Sequence, residues 1–206
     1  VSLLAKVPSI FVVNAGVPAK DLREFVALAK AEPGKLNYGS AGNGSAGHLA
    51  MEYLKLVADI DLLHVPYKGT GPNLTDLLAG RTQATAAGTP PLLPHVKAGK
   101  LRVIAVGATK RLAALPDVGT VAEQGYPGFE TTQWYGLNAP AKVPAAIIKR
   151  LADEAAKAAK VPSVAEHFQA DSAEAVGSSP QEYTDFILKE QARWGEVVRK
   201  AKITPN

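Results

Sequence analysis

Apolar positions along the chain alternate between two spacings. Ser9–Val13 carries Ile10, Phe11, Val12 and Val13 in an unbroken run, which predicts a strand. Pro18 and Asp21 then precede Leu22, Phe25, Val26, Leu28 and Ala29, spaced as one face of a helix that Pro33-Gly34 ends. Lys35–Tyr38 reads as a short strand, and residues 46–58 as a helix with Leu49, Met51, Leu54 and Val57 apolar. Further strands are expected at Leu62–Tyr67, Thr82–Ala86 and Leu101–Val106. Short helices fall between them, at Asn73–Ala79, which Gly80 stops, and at Leu92–Ala98.

This alternation predicts an α/β sheet with mainly parallel pairing. The pattern changes near Gly107–Thr109, the best internal boundary. Beyond it come a loop at Leu115–Val118, a helical turn at Thr120–Gln124 and an aromatic strand at Phe129–Ala139. Helices follow at Pro144–Lys160, Ser163–Gln169 and Pro180–Lys200. Ser163-x-x-Glu166 and Ser179-Pro180-x-Glu182 both fit capping boxes, the second with proline at the first helical position.

Composition narrows the field. With 206 residues the chain can bury a core, and 47% hydrophobic with 20% charged residues is an ordinary globular balance. No apolar run is long enough to span a membrane. The absence of cysteine excludes disulfide frameworks, thiolate metal sites and cysteine nucleophiles. A net charge of +4 is compatible with an anionic small ligand. It is too dispersed for a nucleic-acid footprint, so no nucleic-acid partner is expected. The chain opens at Val1 in strand-like sequence, so a further segment is expected upstream.

The most informative stretch lies between Lys35 and Glu52, which holds no formal charge but contains Gly39, Gly42, Gly44 and Gly47. A strand, a glycine-rich loop and a helix start together make an anion site, because the first helical N–H groups are unpaired and carry partial positive charge. Ser40, Asn43 and Ser45 add side-chain donors, and His48 falls in the first helical turn, where it can donate to a carboxylate. The plainer reading is a tight turn capped by Ser45, with His48 a partly buried helix residue. Gly42-x-Gly44-x-x-Gly47 matches a dinucleotide fingerprint, but the next strand ends Pro66-Tyr67-Lys68, without the acid that would hold a ribose. Gly39-x-x-x-x-Gly44-Ser45 lacks the lysine of a phosphate loop, and Asn43-Gly44-Ser45-Ala46-Gly47 misses the nucleophile elbow.

The four histidines are too scattered for a helical pair of metal ligands, and no carboxylate pair flanks the glycine loop, so neither a metal nor acid–base catalysis is expected. In a parallel sheet the loop Tyr67-Lys68-Gly69 should share an edge with the glycine loop, as should Thr89. Tyr67 and Lys68 can supply a hydroxyl and a countercharge there, or simply pack and be solvated. Trp134 and Tyr135 either wall a pocket or pack in a core.

The run Pro33-Gly34-Lys35-Leu36-Asn37-Tyr38-Gly39-Ser40-Ala41-Gly42 with Ser45 and His48, then His64-Val65-Pro66-Tyr67-Lys68-Gly69, resembles the Bug-type (TctC-like) solute receptors of tripartite tricarboxylate transporters. The resemblance continues in order through Leu93–Arg102, Leu115–Val118, Trp134–Leu137 and the helix of Trp194. It implies a type II periplasmic binding protein-like fold of two α/β lobes that close on a small carboxylate-bearing solute. By the same token it implies no catalysis, no cofactor, a periplasmic location and a membrane permease as partner. Its ligand contacts map onto Ser40, Ala41, Asn43, Gly44, Ser45, His48, Tyr67, Lys68 and Gly69, with Thr89 as a further expectation. Relatives also have an amino-terminal segment, with a Gly-Gly loop, that this sequence lacks. Residues 1–8 are thus expected to cross from an incomplete first lobe, residues 9–107 to form the second lobe, and residues 108–206 to return to the first. A homodimer can compensate for the missing half-lobe. Two other readings share parts of the evidence: the effector-binding domain of a cytosolic transcription regulator, and an NADP-dependent enzyme using Gly42, Gly44 and Gly47.

Overall fold

The computed structural model describes residues 1–170 and 172–204. The chain forms two compact units. The larger comprises Pro8–Thr132 and Glu196–Asn206, the smaller Val1–Val7 and Gln133–Gly195. Strand β1 (Ser2–Asn14) contributes to both.

In the larger unit β1 is followed by α1 (Leu22–Ala31), β2 (Asn37–Ser40), α2 (Ala46–Ala58), β3 (Leu63–Pro66), α3 (Thr70–Leu78), β4 (Ala84–Gly88), α4 (Thr89–Lys97) and β5 (Leu101–Val106). The sheet order is β3-β2-β4-β1-β5. β2 runs parallel to both β3 and β4, whereas β1 is antiparallel to β4 and β5. The expectation of mainly parallel pairing is thus corrected to a mixed sheet. The four strands joined by helices do run the same way, as the alternation requires. β1 is inserted against them between β4 and β5, and nothing in its own residues distinguishes the two directions.

β1 is central, and both of its faces are covered. Phe11 and Val13 point into one core with Phe25, Tyr38, Met51, Leu54 and Ala84. Ile10 and Val12 point into another with Leu77, Leu92, Leu101 and Val103. The sheet is therefore sandwiched, α1 and α2 on one side and α3 and α4 on the other, which is why these strands read as apolar runs rather than alternations. The unit continues past the composition shift to Thr132, because Val121 N–H bonds Val106 O at 2.9 Å, and Ser9 N–H and Gly107 O both pair with Thr131.

The smaller unit adds β6 (Thr132–Leu137), α5 (Ala145–Ala158), α6 (Pro162–Ala170), β7 (Glu174–Ala175) and α7 (Pro180–Lys200). The capping box before α7 forms in both directions: Ser179 Oγ accepts from Glu182 N–H at 3.2 Å, and Glu182 Oε2 accepts from Ser179 N–H at 2.8 Å. The box expected at Ser163 does not lead its helix, because α6 begins one residue earlier, at Pro162. Trp134 packs edge-on against Tyr183 and Phe186, at 6.2 and 5.5 Å, while Tyr135 is 56% exposed.

The closeness of α2 to the sheet depends on one glycine. A Cβ at Gly47 would lie 2.2 Å from the carbonyl oxygen of Ala86 in β4. Gly47→Ala is therefore expected to cost about 3 kcal/mol in urea denaturation, at the upper end for overpacking, since a backbone atom cannot rotate away.

Candidate functional site

Parallel alignment places the carboxyl ends of β2, β3 and β4 at one sheet edge, and each of these strands runs into a helix. Three helix starts therefore converge there: Ser45–Ala46 for α2, Gly69–Thr70 for α3 and Gly88–Thr89 for α4. The first has a side-chain cap, as Ser45 Oγ accepts from His48 N–H at 3.4 Å. The other two are preceded by glycines and have no side-chain cap. Helix starts carry unpaired N–H groups and partial positive charge, so their convergence favours an anion. Residues 39–48, 67–73 and 86–93 contain a single formal charge, that of Lys68, which is exposed.

The glycine loop can turn at this edge because Gly42 and Gly44 adopt φ of +125° and +72°, values that side chains with a Cβ resist. It is stitched to the neighbouring loop by Tyr67 N–H to Ser40 O at 3.0 Å and Gly69 N–H to Ala41 O at 3.2 Å. On the α3 side, Asn73 occupies the place where a Cβ of Gly39 would sit, and its amide donates to Thr85 Oγ1 at 3.0 Å. Thr85 in turn donates to Gly39 O at 2.8 Å. Asn73 is 3% exposed, and its Oδ1 has no partner among the described residues.

On the α2 side a column of rings supports the loop. Tyr38 and His64 are register partners across β2 and β3, and their rings stack at 4.9 Å. His64 stacks on His48 at 3.9 Å with the planes 8° apart. His48 Nδ1 accepts from Gly44 N–H at 3.0 Å, while His64 Nε2 lies 2.7 Å from Ser40 Oγ. Tyr38 donates its hydroxyl to Glu52 at 2.6 Å, and Lys55 pairs with the same oxygen at 2.8 Å. Burial pushes the His48 imidazole below its ordinary value, against the opposing pull of Glu52. His64 is held down to about 4, first by burial and then by the neighbouring His48 ring. Burial, reinforced by Glu52, pushes the Tyr38 hydroxyl up.

The structure thus sorts the ten residues expected at the site. Asn43 and Gly44 are exposed; Ala41, Ser45 and Gly69 are half-buried at the loop surfaces; Lys68 projects to solvent. Ser40 and Thr89 are fully buried, and His48 is 5% exposed. Ser40 and His48 thus face the inside of the loop. The Tyr67 hydroxyl donates to Asp76 at 2.8 Å rather than standing free at the edge. Thr89 is not a loop residue but the first residue of α4, because Pro90 and Pro91 fit the first turn of a helix, where no N–H bond is lost. Tyr38, Glu52, His64 and Asn73 support the loops but are not among the residues expected at the site, although Tyr38 and His64 lie in the runs that carry the resemblance. His48, Glu52 and Lys55 at helical spacing were the available signal for one face of α2. Three surface concavities of roughly 270–370 Å³ elsewhere in the larger unit, one lined by Lys20, Arg23 and Arg111, include none of the ten.

The depressed histidines make stability pH-dependent. The unfolded chain protonates near pH 6.5, before the folded one, so stability is level above about pH 6.5 and declines toward about pH 4, where folded His64 takes up its proton. Lowering pH from about 7 to about 5 is expected to cost on the order of 1–2 kcal/mol in urea denaturation. His64→Gln should remove most of that slope.

A family model described as "Tripartite tricarboxylate transporter family receptor" matches residues 1–203. A Pseudomonas protein encoded in the tcbD–tcbE intergenic region is 34% identical over all of this chain, which spans 62% of that protein. Protein BugT of Bordetella pertussis is 34% identical over 97% of the chain, spanning 61% of BugT. The chain thus covers about three-fifths of the length of these relatives. Among solved structures, an R. palustris protein determined with adipate superposes with a TM-score of 0.93 at 34% identity, over 100% of this chain and 69% of that one. MatC from Rhodopseudomonas palustris with bound malate gives 0.85 at 28%, over 96% and 68%. The periplasmic binding protein BugD gives 0.89 at 28%, over 100% and 69%. With a family match across almost its entire length, this chain belongs to the tripartite tricarboxylate transporter receptor family, the Bug/TctC solute-binding proteins.

Proposed function

We propose that the chain is the anion-gripping part of a periplasmic receptor that captures a small carboxylate (a di- or tricarboxylate, an amino acid or a related organic acid) and delivers it unchanged to a membrane permease. The carrying observation is the convergence of three helix starts at an edge whose loops bear one positive and no negative formal charge. A carboxylate there accepts charge-assisted hydrogen bonds from the Ser45 hydroxyl and from the first-turn amides of α2 and α3, while Gly44 and Gly69, whose own N–H groups bond His48 Nδ1 and Ala41 O, shape the loops that bring these donors together. Lys68 supplies the countercharge. Ala41 and Asn43 line the loop, while Ser40, His48, Tyr67 and Thr89 position these donors from behind.

The same features argue for binding rather than catalysis. The nearest carboxylates, Glu52 and Asp76, are each engaged by a tyrosine hydroxyl and a basic side chain. Gly47 packs on a β4 carbonyl instead of opening toward a pyrophosphate. The adipate and malate of the two R. palustris structures make these acids the natural first probes.

Calorimetric titration with adipate, malate, citrate and glutamate tests the reading. At least one of the four acids is expected to bind. Ser45→Ala is expected to weaken that acid by about 1 kcal/mol, roughly fivefold, the scale of one hydrogen bond to a charged group. Absence of binding across the series, or an unchanged affinity in the variant, would count against the site.

A further inference from the structure

The two histidines behind the loop are connected to it with a regularity that their stacking alone does not require. Gly42 and Gly44 are the positive-φ positions of the loop, and each is tied to one ring. Gly44 N–H donates directly to His48 Nδ1 at 3.0 Å. Gly42 N–H donates to Ser40 Oγ at 3.1 Å, and that hydroxyl lies 2.7 Å from His64 Nε2. The rings are parallel and 3.9 Å apart, one carried by α2 and the other by β3. Because its Nδ1 accepts a backbone N–H, His48 carries its proton on Nε2. A protonated His48 would turn a second N–H toward Gly44, and charge on both rings at this separation is repulsive.

We propose that His48 and His64 are paired positioning residues that hold the Gly42–Ser45 loop, and with it the Ser45 hydroxyl and the start of α2, in its anion-accepting arrangement only while both rings are neutral, so that acidification loosens the loop. This rests on reading the loop as the carboxylate site. The groups facing the pair are Glu52 and Lys55 from α2 and Tyr38 from β2. Glu52 favours ring protonation, but its carboxylate is already shared between the Tyr38 hydroxyl and the Lys55 ammonium. Lys55 opposes protonation, and burial opposes it most. The device would release an anion in acid although protonation adds positive charge nearby. A purely electrostatic role for the histidines predicts the opposite sign.

Amide hydrogen exchange by NMR on the full chain decides the matter without any ligand. Between about pH 7 and about pH 5, Gly44 protection is expected to fall about tenfold further than that of Leu28 and Val103, which report global opening. In His48→Asn, which keeps an acceptor near the Nδ1 position but does not titrate, that difference should shrink to less than about twofold. Gly44 protection that tracks the control amides, or falls equally in the variant, overturns the proposal. Should His48→Asn not fold, the wild-type ring nitrogen shifts decide instead. The Nε2–H tautomer and a His48 or His64 midpoint coincident with the loss of Gly44 protection support the device; separate midpoints overturn it. Adipate titration adds the binding consequence: the wild-type to variant ratio of association constants, which cancels the acid's own protonation, should fall about fivefold over the same range. If adipate binds neither protein, the adipate arm bears on the carboxylate reading alone, and exchange still decides the fate of the support.

Discussion

The alignment of β2 with its neighbours governs everything at the candidate site. Because β2 is parallel to both β3 and β4, the strands end together, and the helices that follow must all begin at the same edge. Each helix start brings several amides that its own turns cannot satisfy. A single start would be an ordinary cap. Three of them beside loops almost devoid of charge form a region whose field is set by backbone dipoles rather than by side chains. The small residues follow from the same geometry: Gly47 lets α2 lie against β4, and Gly39 leaves room for Asn73. The site is thus a property of how strands and helices are packed, with side chains tuning it.

Much of this was legible from residue order alone. The periods of α2, β5 and α7 give their limits as observed, because clean apolar faces and strong caps or stops bound them. The glycine loop was recognisable because neutral small residues filled the interval between a strand and a helix. Strand limits slipped where apolar side chains did not mark the ladder: β2 runs to Gly39 and Ser40, which pair through backbone and carry no hydrophobic signal. α3 and α4 begin earlier than expected since Gly-Pro and Pro-Pro look like breakers, yet fit a first helical turn.

What could not be read was lateral placement. Nothing local in β1 says that it lies between β4 and β5, or that it runs against them. For the same reason the ring column was invisible: Tyr38, His48 and His64 come from three elements, and only the pairing of β2 with β3 and the seating of α2 bring them together. Residues chosen by motif turned out to divide by depth. Asn43 and Gly44 lie outside, whereas Ser40 and His48 lie within. Position in a loop identified the neighbourhood but not the direction each group faces.

Lys68 is the only residue in the three loops with a full charge, and this bears on how capture responds to its surroundings. Dipolar N–H donors at short range are little affected by dissolved ions, whereas a solvated ammonium is screened within about 10 Å at 0.1 M salt. A grip built mainly on amides would therefore survive wide swings in ionic strength. It also has little capacity to tell a doubly from a singly ionised acid by charge alone. Such discrimination must come from groups that meet the far end of the solute.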